Sequence, residues 1–255
     1  MVENTILIFF TIDCIFEAMP PVHLDILHAE ASAELLRVMH SEFPVAMVQL
    51  PTVFALIAPS NAAGVEALNT AKRRLSGKHY GSAIGGLREF LAMADPDYLP
   101  EIFQKDETSL SALEGSFIRL RVGEATIETP TITGGTHQGL LLTEGPERAL
   151  FKAIERSFQH SEPNEVFAGA RYYAPICTSA NLSGDPLGSI TDMHRAIEFM
   201  RHCNIPLLLS NDAGSALETG SYPIFAFERN TMRVMRQGPA QERILRSLPS
   251  TITVR

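Results

Sequence analysis

The chain has 255 residues, of which 45% are hydrophobic and 20% charged, and a formal net charge of -8. This length and composition are those of a globular protein with a well-buried core. The acidic balance argues against a nonspecific binder of polyanions, which would carry a basic excess. Three widely spaced cysteines, Cys14, Cys177 and Cys203, form no CxxC pair. They predict free thiols in a cytoplasmic protein, without a disulfide framework or a zinc site.

The first half of the chain alternates apolar runs with helical patterns. An apolar stretch near the start is too short to cross a bilayer, so it predicts a strand and no membrane attachment. Continuous apolar strands are typical of a sheet that is covered on both faces. The segment Pro59-Ser60-Asn61 offers caps for the start of a helix. The strands predicted here are 5–12, 44–50 and 53–58, and the helices are 28–40 and the segment after Asn61.

The second half continues in the same way. A helical pattern with proline interruptions covers 86–114, and Pro146 favours the start of another helix. Ser189 or Thr191 is predicted to cap a later helix. The threonine-rich segment 126–136 predicts edge strands or a flexible loop. Further strands are predicted over 116–122, 138–143 and 205–210 and in a hairpin of 222–227 with 232–236, before a short final helix.

A basic run follows the helix that begins after Asn61. Lys72, Arg73, Arg74 and Lys78 fall within seven residues, with Gly77 between them. These cations can be a solvated helix end that complements the helix dipole. They can equally form a turn that aims several positive charges at one anion. The run is not a phosphate-binding P-loop, because Lys72 stands where that motif requires glycine.

A loop of hydroxyl and amide side chains, residues 178–184, follows an apolar run that predicts a strand. Such residues often satisfy only their own turn, and that is the simpler interpretation. A second polar loop begins at Asn211, at the carboxyl end of a predicted strand, where open α/β sheets bind ligands. Cations together with hydroxyls and amides favour a nucleotide over an acyl substrate. No serine-histidine-aspartate arrangement with a GxSxG turn is evident.

Three motifs together resemble the threonylcarbamoyl-AMP synthase family, which has the YrdC-like fold. That family carries Lys-Gly-Arg-Pro-x-x-Lys, then Ser-Ala-Asn-x-Ser-Gly, then a late Leu-Arg-x-Gly. The order and spacing agree over about residues 30–240, and the second string is the specific one. The resemblance implies a single α/β domain over 1–255 with an open, twisted, mixed sheet flanked by helices. The matching segments are Lys72-x-Arg74-x-x-x-Lys78, Thr178-Ser179-Ala180-Asn181-Leu182-Ser183-Gly184 and Val234-Met235-Arg236-Gln237-Gly238.

The family converts ATP, bicarbonate and L-threonine into threonylcarbamoyl-adenylate and pyrophosphate, the first half of a tRNA adenosine modification. The resemblance therefore implies ATP with Mg²⁺, bicarbonate or another carbamoyl donor, and a small amine or amino acid as ligands. It also implies tRNA or tRNA-modification proteins as partners. The ATP-binding residues that it implies are Lys72, Arg74, Lys78, Asn181, Ser189, Ser221 and Arg236. Those on the amino-acid or carbamoyl side are Thr52, Thr178, Ser179 and Asp212, and no residue is assigned as a metal ligand or a certain catalyst.

Departures from the family pattern concentrate on the amino-acid side. The family's Pro-Thr-(Asp/Glu)-Thr-x-Tyr-Gly loop corresponds to a shorter segment, 51–55, and its Arg-x-Pro strand corresponds to Leu140-Leu141-Leu142. A pocket that lacks both the second threonine of this loop and the arginine of this strand cannot pair a threonine carboxylate in the same way. Three hypotheses remain: the threonine reaction, a relative with another carbamoyl donor or acceptor, and a noncatalytic nucleotide- or RNA-binding protein.

Overall fold

The computed structural model describes residues 21–74, 79–104, 107–160, 162–211 and 218–255. The strand predicted over 5–12 lies outside these ranges. The helices are Ala31–Met39 (α1), Ala62–Lys72 (α2), Leu87–Ala92 (α3), Pro146–Phe158 (α4), Met193–His202 (α5) and Gln241–Ser247 (α6). The strands are Val22–Asp25 (β1), Ala46–Gln49 (β2), Phe54–Ala58 (β3), Gly81–Ala83 (β4), Ser116–Arg121 (β5), Ile132–Thr133 (β6), Thr136–Leu141 (β7), Ile176–Ser179 (β8), Leu207–Ser210 (β9), Ile224–Glu228 (β10), Thr231–Arg236 (β11) and Thr253–Val254 (β12).

The twelve strands of the described residues form one sheet in the order β1-β9-β2-β3-β8-β4-β7-β5-β10-β11-β12, and β6 pairs with β7 at the side of this path. The sheet contains parallel pairs, such as β5 with β10, and antiparallel pairs, such as β5 with β7. The sheet is thus open and mixed. This architecture confirms the fold class that the sequence predicts.

Helices cover both faces of the sheet, and side chains alternate between two cores. On β3, Phe54 and Leu56 belong to one core, while Ala55 and Ile57 belong to the other. Residues of α2, α3, α5 and α6 pack in the first core, and residues of α1 and α4 pack in the second. The apolar residues of β3 are therefore needed on both sides, as the continuous apolar run predicts.

Several elements differ from the sequence-based expectations. The helix predicted over 86–114 is the short α3 followed by three 3₁₀ turns, because prolines interrupt the α-helical hydrogen bonds. The cap of α5 is neither Ser189 nor Thr191 but Asp192, whose Oδ1 accepts a hydrogen bond of 2.9 Å from the backbone N–H of Arg195. The threonine-rich segment supplies the short strand β6. Strands β1, β4 and β12, which have only two to four residues each, are not predicted from the sequence. Among the described residues, no helix is long and apolar enough to cross a membrane.

The start of α2 uses Asn61, one of the candidate caps in the segment Pro59-Ser60-Asn61. The side chain of Asn61 accepts a hydrogen bond of 2.9 Å from the backbone N–H of Gly64, which satisfies one of the free donors of the first turn. A Cβ on Gly64 would collide with the carbonyl oxygen of Pro59. Glycine is therefore required here by the close approach of the chain that enters the helix.

The Gly64→Ala substitution should destabilise the protein by about 1–3 kcal/mol, since the Pro59 carbonyl must move to admit the methyl group. In an ordinary helix interior the same change would stabilise the protein by about 1 kcal/mol. The sign of the change in stability therefore shows whether the Pro59 carbonyl restricts this position. Urea unfolding measures the effect. Thr70→Ala, at an exposed position of the same helix, should change stability by less than about 0.5 kcal/mol. A more stable Gly64→Ala protein would show that the contact with Pro59 imposes no constraint.

Candidate nucleotide-binding cleft

The carboxyl end of α2 and the loop after β8 meet at the side chain of Lys72. Its ammonium donates hydrogen bonds to the backbone oxygens of Ser179 (2.5 Å) and Asn181 (2.8 Å) and to Asn181 Oδ1 (3.1 Å). The backbone N–H of Ser183 donates in return to the carbonyl of Lys72 (3.1 Å). Lys72 is only 4% exposed, so these oxygens replace water around its charge. Two motifs more than a hundred positions apart are thus joined directly.

The loop after β8 is ordered further by its own side chains. Ser179 Oγ donates to Asn181 Oδ1 (2.9 Å), and Asn181 Nδ2 donates to the carbonyl of Leu182 (2.9 Å). The hydroxyls of Ser189 and Ser221 lie 2.6 Å apart. Asn181 and Ser189 therefore make hydrogen bonds within the protein. These bonds are typical of residues that stabilise the conformation of a loop.

Arg74 leaves α2 through a left-handed residue, Arg73, whose φ is 46°. Its guanidinium stacks on the ring of Tyr80 at 4.0 Å and donates to the carbonyl of His79 (2.7 Å), while Nε has no hydrogen-bond partner. Burial lowers the pKa of Arg74. Arginine stays charged in proteins, so this direction reports a partly desolvated cation that an anion would stabilise.

Arg74 lines a cavity of about 280 Å³ on the open part of the sheet. Arg119 lies across it and donates a hydrogen bond of 2.6 Å to Gln138 Oε1. Arg119 and Gln138 face each other on β5 and β7, so their side chains share one face of the sheet. The remaining lining residues are His79, Tyr80, Thr131, Thr133 and Thr136.

A smaller cavity of about 70 Å³ adjoins the first, because Gln138 lines both. Its polar residues include Thr178, Ser179, Ser221 and Arg236, all of which the sequence motifs assign to the site. The guanidinium of Arg236 is fixed by hydrogen bonds of 2.9 and 2.6 Å from Nε and Nη2 to the carbonyl of Tyr222. Apolar side chains form much of the remaining wall: Leu50, Val53, Ala55, Phe117 and Leu140.

Two of the assigned residues, Lys78 and Asp212, lie outside the described residues. Thr52 is buried and lines a different cavity, with Glu218 and Gln241. Conversely, the sequence motifs do not include Arg119 and Gln138. The alternation Arg119-x-Arg121 in a predicted strand could have indicated a cationic face, since alternate residues point to the same side.

A serine–histidine pair exists but is closed to substrates. His137 Nδ1 donates to the carbonyl of Thr131 (2.9 Å), so Nε2 accepts from the hydroxyl of Ser82 (2.8 Å), which also contacts Tyr172. Ser82 and His137 are 0% and 1% exposed, and burial lowers the pKa of His137 to about 4. The neutral ring cross-links β4 and β7 inside the core.

Comparison with known proteins gives the class of fold. No protein-family model and no curated protein sequence matches the chain. Two structures of P. abyssi Sua5 are similar to it: a variant with two alanine substitutions, with TM-score 0.64 and 16% identity over 92% of this chain, and the complex with L-threonine, with TM-score 0.59 and 20% identity over 88%. HypF, solved in its phosphate- and nucleotide-bound form, gives TM-score 0.55 and 15% identity over 82% of this chain.

The chain therefore has the YrdC-like fold that Sua5, a threonylcarbamoyl-AMP synthase, also has. It spans 66% and 58% of the length of the two Sua5 chains and 29% of HypF. At these identities the similarity defines the fold alone.

The Lys72→Met substitution should destabilise the protein by about 2–4 kcal/mol, because buried carbonyls of Ser179 and Asn181 lose a charged donor while the side chain keeps its length. Urea unfolding gives the stability. Hydrogen exchange of residues 179–183 should rise more than that of α4. Lys152→Met, which removes a partly exposed ion pair with Glu144, should lose less than about 1 kcal/mol. Equal losses in the two variants would show that Lys72 does not organise the loop.

Proposed function

We propose that this protein binds ATP in the cleft that comprises the adjoining cavities of Arg74 and Arg236. There it forms a carbamoyl-type adenylate, in the manner of an L-threonylcarbamoyladenylate synthase. The observation that carries the proposal is the set of hydrogen bonds from Lys72 to the loop at Ser179 and Asn181. These bonds place the basic motif and the hydroxyl–amide motif at one cleft, next to cavities that hold Arg74 and Arg236. The similarity to Sua5 and to nucleotide-bound HypF supports an enzyme of this kind.

In the proposed reaction, an amine and bicarbonate form a carbamate and release water, and a carbamate oxygen then attacks the α-phosphate of ATP. A bond forms between the carbamate oxygen and phosphorus, the bond from the α-phosphorus to the bridging oxygen breaks, and pyrophosphate leaves. Arg74, Arg119 and Lys78 are the cations we assign to the phosphates, where fixed positive charge stabilises the transition state. Because reactants are held in place, no general base is required beyond the amine's own deprotonation by solvent.

We place Mg²⁺ on the phosphates of ATP. The described residues of the cleft offer cations, hydroxyls and amides, and Mg²⁺ prefers phosphate and carboxylate oxygens. Among the described residues there is no group of three or more histidine, cysteine, aspartate or glutamate side chains that could hold a metal. In this assignment the ion enters with the nucleotide and shields its charge.

The small cavity beside Ser179 is the place we assign to the carbamoyl group. Its volume of about 70 Å³ holds a group of a few heavy atoms, and Thr178, Ser179 and Gln138 can hydrogen-bond to it. Its apolar wall at Leu140 provides no cation where the resemblance would require one. This supports a relative with another acceptor over the threonine reaction itself. Partners in tRNA modification belong to the threonine version of the proposal.

The second candidate is a protein that binds nucleotide or RNA without catalysis. It is favoured by the partners that Lys72 and Asn181 already have within the protein, because saturated side chains contribute less to a substrate. Under this alternative, ATP binds and no pyrophosphate is released.

Calorimetric titration with MgATP tests the nucleotide site. Arg74→Ala should weaken ATP binding about 10- to 100-fold, because a partly desolvated guanidinium makes a charge-assisted contact with phosphate. Arg73→Ala is the matched control, since this neighbouring arginine is exposed and its Nη2 contacts His202 Nε2 at 3.1 Å. That variant should bind ATP within twofold of the wild type.

Absence of ATP binding by the wild type would reject adenylate formation and nucleotide binding, and a salt-dependent mobility shift with tRNA would then test RNA binding. If ATP binds, pyrophosphate release from ATP and bicarbonate, measured with each amino acid in turn, separates the catalytic from the noncatalytic candidate. Release with threonine alone would establish the threonine reaction. Release with another acceptor alone would establish the altered version, and binding without release would favour the noncatalytic candidate.

A further inference from the structure

A second, larger cavity of about 710 Å³ opens on the same face of the sheet. It shares Arg119 and Thr136 with the cavity of Arg74, so these two residues form a common wall. One carboxylate, that of Glu228, is among its described lining residues. Its five arginines are Arg119, Arg121, Arg229, Arg233 and Arg255, and we call this cavity the arginine groove.

The sheet itself brings the arginines together. Gln138 on β7 pairs with Arg119 on β5, which pairs with Ala226 on β10, which pairs with Arg233 on β11. Paired residues of neighbouring strands point to the same face. The methyl group of Ala226 therefore lies between the side chains of Arg119 and Arg233. This small residue leaves open space between them.

Tyr98 organises the other end of the groove. Its ring lies under the guanidinium of Arg121 at 4.3 Å and near that of Arg229 at 5.6 Å. The backbone N–H of Arg229 donates to the carbonyl of Tyr98 (2.9 Å), which fixes the hairpin tip against the ring. Arg121 also has an ion pair of 3.8 Å with Asp95. Stacking holds the two cations near each other without neutralising them.

Most of this charge has no acidic partner. In the part of the chain that the structure describes, the one hydrogen-bond partner of the Arg119 side chain is Gln138. The side chains of Arg233 and Arg255 make no hydrogen bond or ion pair there. Burial lowers the pKa of Arg119, the direction expected for a desolvated cation without a counter-ion. A cluster of guanidinium groups of this kind is stabilised by an oxyanion.

The dimensions of the groove favour a small molecule over a polymer. Its volume lies within the range of about 300–1,000 Å³ that is usual for small-ligand pockets. The arginines converge on one cavity, whereas a nucleic acid is usually held by a longer basic track. The net charge of -8 on the whole chain would also repel a long polyanion.

We propose that the arginine groove is a second anion site, which binds a small molecule through a phosphate or carboxylate group. It is distinct from the place assigned to the carbamoyl group, because β8, which carries Ser179, and β11, which carries Arg233, lie five strand spacings apart. At about 4.8 Å for each spacing, this separation exceeds the length of a small amino acid. Arg119 lines both the groove and the cavity of Arg74, so the bound anion would lie next to the cavity that we assign to the phosphates of ATP.

Calorimetry with a matched pair of ligands tests the assignment in the presence of MgATP. O-phospho-L-threonine should bind the wild type at least tenfold more tightly than L-threonine, or L-glutamate should do so if the group is a carboxylate. The double substitution R233Q/R255Q should abolish this preference. Both side chains are exposed and make no hydrogen bond or ion pair with the described residues, so the variant should fold, which circular dichroism checks. R201Q, at an exposed arginine of α5, is the control and should keep the preference.

Equal affinity for the three amino acids, or a preference that R233Q/R255Q retains, would overturn the inference. Tight binding of a short RNA that competes with O-phospho-L-threonine and is lost in R233Q/R255Q would assign the groove to a polymer and also overturn it. ATP affinity should stay within twofold in the double variant. A wild type that binds ATP but shows no preference for the acidic ligands rejects the groove alone. A wild type that prefers the acidic ligand but does not bind ATP rejects the proposed function and leaves the groove as a separate anion site.

Discussion

The cleft depends on one buried ammonium group. Lys72 is the last residue of α2, where the helix leaves carbonyl groups without partners and the helix dipole is negative. A lysine is stabilised at this end, but burial of its charge is expensive unless oxygens replace water. The loop at Ser179 and Asn181 supplies three of them. The loop therefore takes the shape that surrounds the ammonium, and the residues that directly follow β8 are positioned relative to α2.

This arrangement changes how the basic motif is understood. From the sequence, Lys72 and Arg74 look like equal contributors of charge to one anion. In the structure Lys72 joins the end of α2 to the loop after β8, and Arg74 is the cation that lines a cavity. Asn181 and Arg236 differ in the same way. The side chain of Asn181 is hydrogen-bonded within its own loop, whereas Arg236 lines the small cavity. Residues that maintain the shape of a site and residues that face its ligand thus occur side by side in one motif.

The sequence predicts the fold class and the elements whose apolar pattern is strong, such as β3 and α2. It fails where the signal is short or where the partner is distant. Strand β4 has three residues, too few for a hydrophobic pattern. It is a strand because β7 and β8 pair with it on either side. The prediction of Ser189 or Thr191 as the cap of α5 is wrong, because Asp192 is an equally good capping residue and the backbone path selects it. In the site, Arg119 and Gln138 have no motif, and their importance comes from a pairing between β5 and β7 that a single strand cannot reveal. Thr52 matches a motif residue, yet it lines a different cavity from Thr178 and Ser179. Lys78 and Asp212 remain predictions.

Charge is distributed very unevenly for a protein whose total is -8. The three cavities around Gln138 and Arg119 are lined by seven of the 21 basic residues and by one of the 29 acidic residues. This region therefore carries +6, and the rest of the protein carries -14. An acidic body repels large polyanions over distances of about 10 Å at moderate salt, whereas a small anion that reaches the cavity meets mainly arginines. The same distribution that argues against nonspecific nucleic-acid binding thus suits a site for compact, highly charged molecules. ATP is one such molecule, and a second acidic ligand beside it would use the charge that ATP leaves unpaired.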